Sequence, residues 1–161
     1  TAMSQNVPLT PPPALENVSV AIVSTEWNSA VNEKLVGNAL ARFRELGYGS
    51  DSCKCFTVPG AVELTFAASQ LIESGMFDAV IVFGCVIRGG TPHFDYVCQS
   101  VTQGVTQLNA DVDTPVIFGV LTVDNEQQAL DRAGGEAGDK GSECVDAALK
   151  MIAFKREVEN L

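Results

Sequence analysis

The sequence predicts a three-layer α/β protein, with one four-stranded parallel sheet covered by helices on both faces and an extended arm at its N-terminus. Two observations predict the layers. Short runs of β-branched apolar residues alternate along the chain with stretches of helical periodicity, and the links between them hold glycine, proline or asparagine. Successive strands in such a chain lie parallel, because each return passes through a crossover helix. The apolar share, 46% of 161 residues, is enough for the core of one domain.

The elements follow in order. Residues 1–17 carry Pro8, Pro11, Pro12 and Pro13 without apolar periodicity, and predict an extended arm that lies on another subunit rather than on its own core. Val18 to Val23 is the first strand. Asn28 or Ser29 caps a helix that runs to Leu46, with Val31, Leu35, Val36, Ala39, Leu40 and Phe43 as its stripe and Gly47 as its stop. Asp51 to Val58 is the second strand. Pro59 to Glu63 turns into a helix with Leu64, Ala67, Ala68, Leu71 and Ile72 inward, closed by Gly75. Ala79 to Val86 is the third strand, and a helix follows to about Asn109. Pro115 to Leu121 is the fourth strand, then come a short helix from Asn125 to Ala133, a glycine-rich loop to Asp139 and a last helix from Ser142 to Val158. The apolar residues of that last helix exceed one stripe, which predicts a subunit interface.

A formal net charge of −10 argues against nucleic acid or an anionic membrane as partner. No run approaches membrane-spanning length, and no signal-peptide pattern is seen. Five cysteines without framework spacing read as reduced thiols, so the expectation is a cytoplasmic protein. Cys53 and Cys55 fall on one face of a strand, and one histidine with scattered cysteines does not make a metal site.

The centre of the chain is the stretch from Gly84 to Val97. A buried strand runs into Gly89-Gly90, and Thr91-Pro92 then reads as a helix start, with a hydroxyl at the N-cap and proline at the first helical position. Strand, glycine turn and helix N-terminus together offer free N–H groups to an anion. His93, the only histidine, stands in the first turn beside them.

In parallel folds ligands gather at the carboxyl ends of the strands. The loops there are Thr25 to Asn28, Pro59 to Glu63, Val86 to His93 and Leu121 to Asn125. Trp27 either covers the edge of the core or offers a stacking face to a flat heterocycle. Glu63 either complements a helix dipole or accepts hydrogen bonds from a polyol. The backbone of Val86 and Ile87 suits the edge of a pyrimidine-like ring. Arg132 and Lys140 are either solvated surface charges or the cations an anion site requires. No P-loop, dinucleotide fingerprint or serine nucleophile elbow is present, and the third strand ends in Gly84-Cys85-Val86, without the aspartate of a phosphoacceptor domain.

Val58 to Glu63, Gly84 to Val97, Pro115 to Thr122, and Gln128 to Gly134 through Asp139-Lys140-Gly141 resemble the lumazine synthase family, in order and over about residues 18–158. The resemblance implies a flavodoxin-like sheet and the penultimate reaction of riboflavin biosynthesis. There 5-amino-6-(D-ribitylamino)uracil condenses with 3,4-dihydroxy-2-butanone 4-phosphate, without metal or redox cofactor. It implies that Trp27 stands at the position of a stacking aromatic, and that Asn28, Ala61, Val62 and Glu63 line the ribityl chain. Val86 and Ile87 would hold the pyrimidine through main-chain groups. Gly89, Gly90, Thr91 and Arg132 would cradle the phosphate, with His93 transferring protons. Arg132 and Phe118 are expected from a neighbouring subunit, and Lys140 near the ligand. Trp27, Val62 and Asp139 depart from residues common in the family.

The resemblance further implies a homopentamer with active sites shared between neighbours. The segment between Arg132 and Lys140 lacks an insertion, which favours an icosahedral shell of pentamers. The competing readings are a flavin- or nucleotide-binding module of flavodoxin type, and a structural shell protein.

Overall fold

The computed structural model describes residues 10–161. Its main sheet has four parallel strands in the order β2-β1-β3-β4: β1 Val20–Thr25, β2 Cys53–Val58, β3 Ala79–Ile87 and β4 Val116–Val123. Helices α1 (Ser29–Glu45) and α5 (Lys140–Glu159) cover one face. Helices α2 (Leu64–Glu73) and α3 (His93–Asp111) cover the other. This is the three-layer arrangement expected from the sequence. The chain winds outwards from β1 to β2, then crosses back to β3 on the other side of β1. In doubly wound sheets such a reversal opens a crevice at the carboxyl ends of the two strands it separates, here β1 and β3.

Local sequence accounts for most of the boundaries. Gly47 ends α1 at φ +88, and its N–H donates to Arg44 O (3.0 Å) while Tyr48 N–H donates to Phe43 O (3.0 Å), the paired bonds of a Schellman stop. Asn125 Oδ1 accepts from Gln128 N–H (2.9 Å) and so caps α4, Glu126–Arg132.

Several boundaries differ from the sequence reading. The first strand starts at Val20 rather than Val18, because Ser19 N–H donates to the Asp78 carboxylate (2.8 Å) and leaves the ladder to begin at Val20 opposite Ala79. The second begins at Cys53, since Ser50–Ser52 form a 3-10 turn. The glycine-rich segment after α4 is a small antiparallel hairpin, β5 (Ala133–Gly135) with β6 (Gly138–Asp139), turning with Gly134 and Gly138 at positive φ. The last helix starts at Lys140, two residues early, because Asp139 rather than a later residue caps it. Its carboxylate accepts from Ser142 N–H (3.1 Å) and the Ser142 hydroxyl (2.7 Å).

Of the arm, residues 1–9 lie outside the described residues. The rest runs along its own chain without helix or strand up to β1. Leu15 N–H donates to the Tyr48 hydroxyl (3.1 Å), and Arg156 donates to the carbonyls of Glu16 and Asn17 (2.8 and 3.1 Å). The last helix has the two faces its sequence predicts: Cys144, Val145, Ala148, Leu149 and Ile152 are buried, while Met151, Phe154 and Val158 form an exposed stripe. Cys53 and Cys55 share one face of β2, where the neighbouring thiol holds the pKa of Cys55 down while that of Cys53 is raised. Among the described residues no helix is long and apolar enough to cross a membrane.

Candidate active site

A cavity of about 540 Å³ opens at the β1/β3 crevice, a size usual for small-molecule sites. It is built from three of the four strand-end loops. Trp27 and Asn28 come from the loop after β1, Gly60 to Glu63 from the loop after β2, and Cys85 to Ile87 with Gly89, Thr91 and His93 from β3 and its loop; Phe94 and Val97 of α3 close one wall. So Trp27, Asn28, Ala61, Val62, Glu63, Val86, Ile87, Gly89, Thr91 and His93 line one cavity, as the sequence grouped them. Gly90 sits between two lining residues but does not itself line it.

The open edge of β3 makes the cavity possible. The β1–β3 ladder stops at Ser24 opposite Phe83, whereas the β3–β4 ladder continues to Ile87 opposite Val123. Along a strand, successive residues turn their peptide groups to alternate sides. Arg88 N–H donates to Val123 O (2.8 Å) on the β4 side, and the Cys85 carbonyl on the other side accepts from Asn28 Nδ2 (2.8 Å). Val86 therefore pairs with β4, and Ile87 is left with both peptide groups facing the unpaired side, at the cavity. Cys85 is buried there, and burial pushes its thiol up to about 11, with the Glu126 charge adding to the effect. It remains a neutral thiol at neutral pH rather than a nucleophile.

The loop after β1 is held from several sides. Glu26 and Trp27 N–H groups donate to Val58 and Pro59 carbonyls (2.8 and 3.1 Å). Asn28, left-handed at φ +61, holds the N-cap position of α1 as the sequence expects, but its side chain makes no capping bond and its amide reaches Cys85 instead. The indole of Trp27 is 64% exposed and lies against Gly60, where a Cβ would come within 2.4 Å of the ring. Thr91 also does not act as a cap: α3 starts at His93 with Pro92 before it and no side-chain cap, and Thr91 lines the cavity. Glu63 closes a 3-10 turn, Ala61–Glu63, and does not cap α2 with its side chain.

No lysine or arginine lines the cavity. Arg88, beside the glycines, donates to Asp124 (2.8 Å), lies 3.8 Å from Asp95, and stacks over the Phe94 ring at 4.5 Å. Asp124 raises its pKa through that hydrogen bond. Asp124 thus gives the loop after β4 a structural part that sequence spacing, 36 residues apart, could not disclose. Phe118, Arg132 and Lys140 do not line this chain's cavity. Phe118 is half-buried on the edge strand β4, Arg132 is exposed at the end of α4, and Lys140 opens α5. Thr25, Gly60, Cys85, Phe94 and Val97 also line the site; all five fall within the loops and the Gly84–Val97 stretch that the sequence marks, although none was given a role there. Among the described residues no group of three or more His, Cys, Asp or Glu side chains gathers as metal ligands would.

Fold and site together define a doubly wound α/β protein with a small-molecule site at its switch point. The match to known proteins is more specific. The family model described as 6,7-dimethyl-8-ribityllumazine synthase matches residues 17–156. Proteins of that name from Phocaeicola vulgatus (48% identical, covering 91% of this chain and 88% of the relative), Bacteroides fragilis (50%; 83% and 93%) and Micrococcus luteus (50%; 90% of each) are similar to it. The chain belongs to the 6,7-dimethyl-8-ribityllumazine synthase family.

The close packing of Trp27 on Gly60 yields a test of the site geometry. Gly60→Ala should displace the exposed indole rather than unfold the protein, because the ring has solvent to move into. The emission of this lone tryptophan should shift, with the thermal midpoint lowered by a few degrees at most, the scale of about 1 kcal/mol or less. An unchanged spectrum would mean that the ring does not rest on Gly60.

Proposed function

We propose that the chain condenses 5-amino-6-(D-ribitylamino)uracil with 3,4-dihydroxy-2-butanone 4-phosphate to form 6,7-dimethyl-8-ribityllumazine, the penultimate step of riboflavin biosynthesis. The observation that carries this reading is the switch-point cavity, which combines a flat aromatic, a carboxylate, an open strand edge and the only histidine. The amine of the first substrate adds to the ketone of the second and water leaves as the imine forms. Phosphate is then eliminated, and the ring closes with loss of a second water.

Each residue has a part suited to its place. Trp27 stacks on the pyrimidine, and the Ile87 peptide groups bind its edge beside Val86. Asn28, Ala61 and Val62 flank the ribityl chain, and Glu63 accepts its hydroxyls. His93 takes and returns protons at the reacting carbons, as histidine does near neutral pH. Gly89, Gly90 and Thr91 lie at the N-terminus of α3, where N–H groups receive the phosphate.

The cation for that phosphate has to come from outside the cavity's own lining. We assign it to Arg132 of a neighbouring copy, with Phe118 of the same neighbour closing the site over the ring and Lys140 near the ligand. The two edges of the sheet support a head-to-tail contact. On the β2 side Val36, Leu40, Cys55 and Phe56 border a groove of about 710 Å³. On the β4 side Ile117, Met151, Phe154 and Val158 border another of about 420 Å³. Unlike faces on opposite edges build a ring rather than a two-fold dimer. The ring is the homopentamer of the reading, and the compact β5–β6 hairpin leaves room for a shell of pentamers. The domain is residues 18–161, preceded by the arm, and its place is the cytoplasm.

Turnover of the two substrates by the purified chain tests the reaction; a module that only binds would hold ligand and make no fluorescent product. His93→Ala should lower kcat by about 10²-fold, and wild-type kcat in that variant would remove the proton-transfer role. Arg132→Ala should raise KM for the ketose phosphate by about tenfold or more while leaving the ribitylaminouracil little changed, since only one substrate is anionic. Equal losses for both would show that another cation holds the phosphate.

Sedimentation at micromolar protein, in low and moderate salt, tests the assembly. Pentamers or shells of pentamers are expected, with salt sensitivity from the −10 charge per chain. Active monomers would overturn the shared site.

A further inference from the structure

Asn32, on the first turn of α1, is 2% exposed and has been given no part in the site. Its Nδ2 donates to the Thr25 carbonyl (3.0 Å), the Thr25 hydroxyl (2.7 Å) and the Trp27 carbonyl (2.9 Å). Two amide hydrogens serve three acceptors, so one is shared. The Thr25 hydroxyl in turn donates to the Trp27 carbonyl (3.2 Å). The Asn32 Oδ1, buried with it, finds no hydrogen-bond partner among the described residues. A buried amide whose acceptor goes unused needs a reason to be there. The reason is on its donor side, where every contact is to the turn that carries Trp27.

That turn has an unusual task. It must keep a large, 64% exposed indole in one place at the mouth of a cavity, although exposed side chains on loops ordinarily move. Trp27 N–H is tied to Pro59 O on one side, and the Cε3–Cζ3 edge of the ring packs against Gly60. Asn32 supplies the tie to α1, which is itself buried against the sheet through Val31 and Leu35.

We propose that Asn32 is a positioning residue that fixes the Thr25–Trp27 turn, so that the Trp27 indole stands as a preset platform and sets the affinity for the heteroaromatic substrate. This rests on the reading of Trp27 as the stacking surface. Asn32 itself touches no substrate. A preset platform spares the binding step the cost of ordering a loop and a large side chain.

The test exploits the lone tryptophan, whose emission reports this turn without any substrate. In the wild-type chain, time-resolved anisotropy should show little fast depolarisation of Trp27; free rotation on the subnanosecond scale would overturn the proposal. Asn32→Ala should release a fast component and raise KM for the ribitylaminouracil on the order of tenfold, with KM for the ketose phosphate within about twofold. A merely structural role would instead lower the active fraction and kcat, leaving both KM values alone, and that result would overturn it. If Asn32→Ala does not fold, Asn32→Ser carries the same measurements, since it keeps one donor in a smaller side chain. In a Trp27→Ala background the effect of Asn32→Ala on KM should vanish, because both act through one ring; additive effects would refute the coupling. Should the wild-type chain not turn over the two substrates, the anisotropy measurements still decide the positioning role, and that failure belongs to the functional reading.

Discussion

The site depends on an inequality of length between neighbouring strands. β3 keeps its partner β4 through Ile87 but loses β1 after Phe83. In a sheet buried on both faces, the extra residues of β3 would be an unpaired edge, and unpaired buried peptide groups are costly. The chain resolves this twice. The Asn28 amide reaches across to the Cys85 carbonyl, and the next group on that side, Ile87, is left at a cavity where a ligand or water can pair with it. The open strand edge, which on the functional reading proposed above recognises a flat, hydrogen-bonding ring, is therefore a consequence of the winding. β1 turns away into its loop at the point where the chain reverses direction across the sheet.

Charge imposes a second constraint. The chain carries 20 acidic and 10 basic side chains. The basic residue nearest the glycine turn, Arg88, is engaged by Asp124 and Asp95 and by the Phe94 ring, where it braces the loops after β3 and β4. An arginine used as a brace cannot also be a free cation for a doubly charged phosphate. Among the described residues of one chain the helix N-terminus is the only positive feature directed at the cavity, and its effect fades within a turn. On the functional reading proposed above, this is why the phosphate subsite requires a neighbour.

Much of this was legible in the sequence, and the exceptions have physical causes. The order of elements followed from periodicity and from glycines at 47 and 75, because those signals are local. The site residues converged because loops at the carboxyl ends of parallel strands must converge, so naming the loops named most of the lining. Caps were the weak point. Asn28 and Thr91 have capping chemistry and stand at helix starts, yet neither side chain makes a capping bond: one amide is taken by a strand 57 residues away, and the other residue lines the cavity. A functional site competes for the same side chains that would otherwise end helices. The strand start at Val20 and the Arg88–Asp124 pair were hidden for a similar reason, since each depends on a carboxylate distant in sequence.

The lumazine-forming reaction assigned here needs little from its protein in the way of reactive groups, and the site is built accordingly. An amine and a ketone condense by themselves when brought together, so the advantage lies in holding two small molecules in register and in handling a few protons. The one thiol in the cavity is kept protonated by burial, and no other strong nucleophile lines it. What the chain invests in instead is geometry. Trp27 is pinned through its backbone and bedded on a glycine, Asn28 accepts a left-handed conformation to reach β3, and a buried amide leaves its own oxygen unpaired to hold the turn between them. Strain and unmet hydrogen bonds of this kind persist only where the surroundings over-determine them. Here they lie in the loop after β1 and the helix start behind it, beside the cavity where, on the functional reading proposed above, the ring stacks.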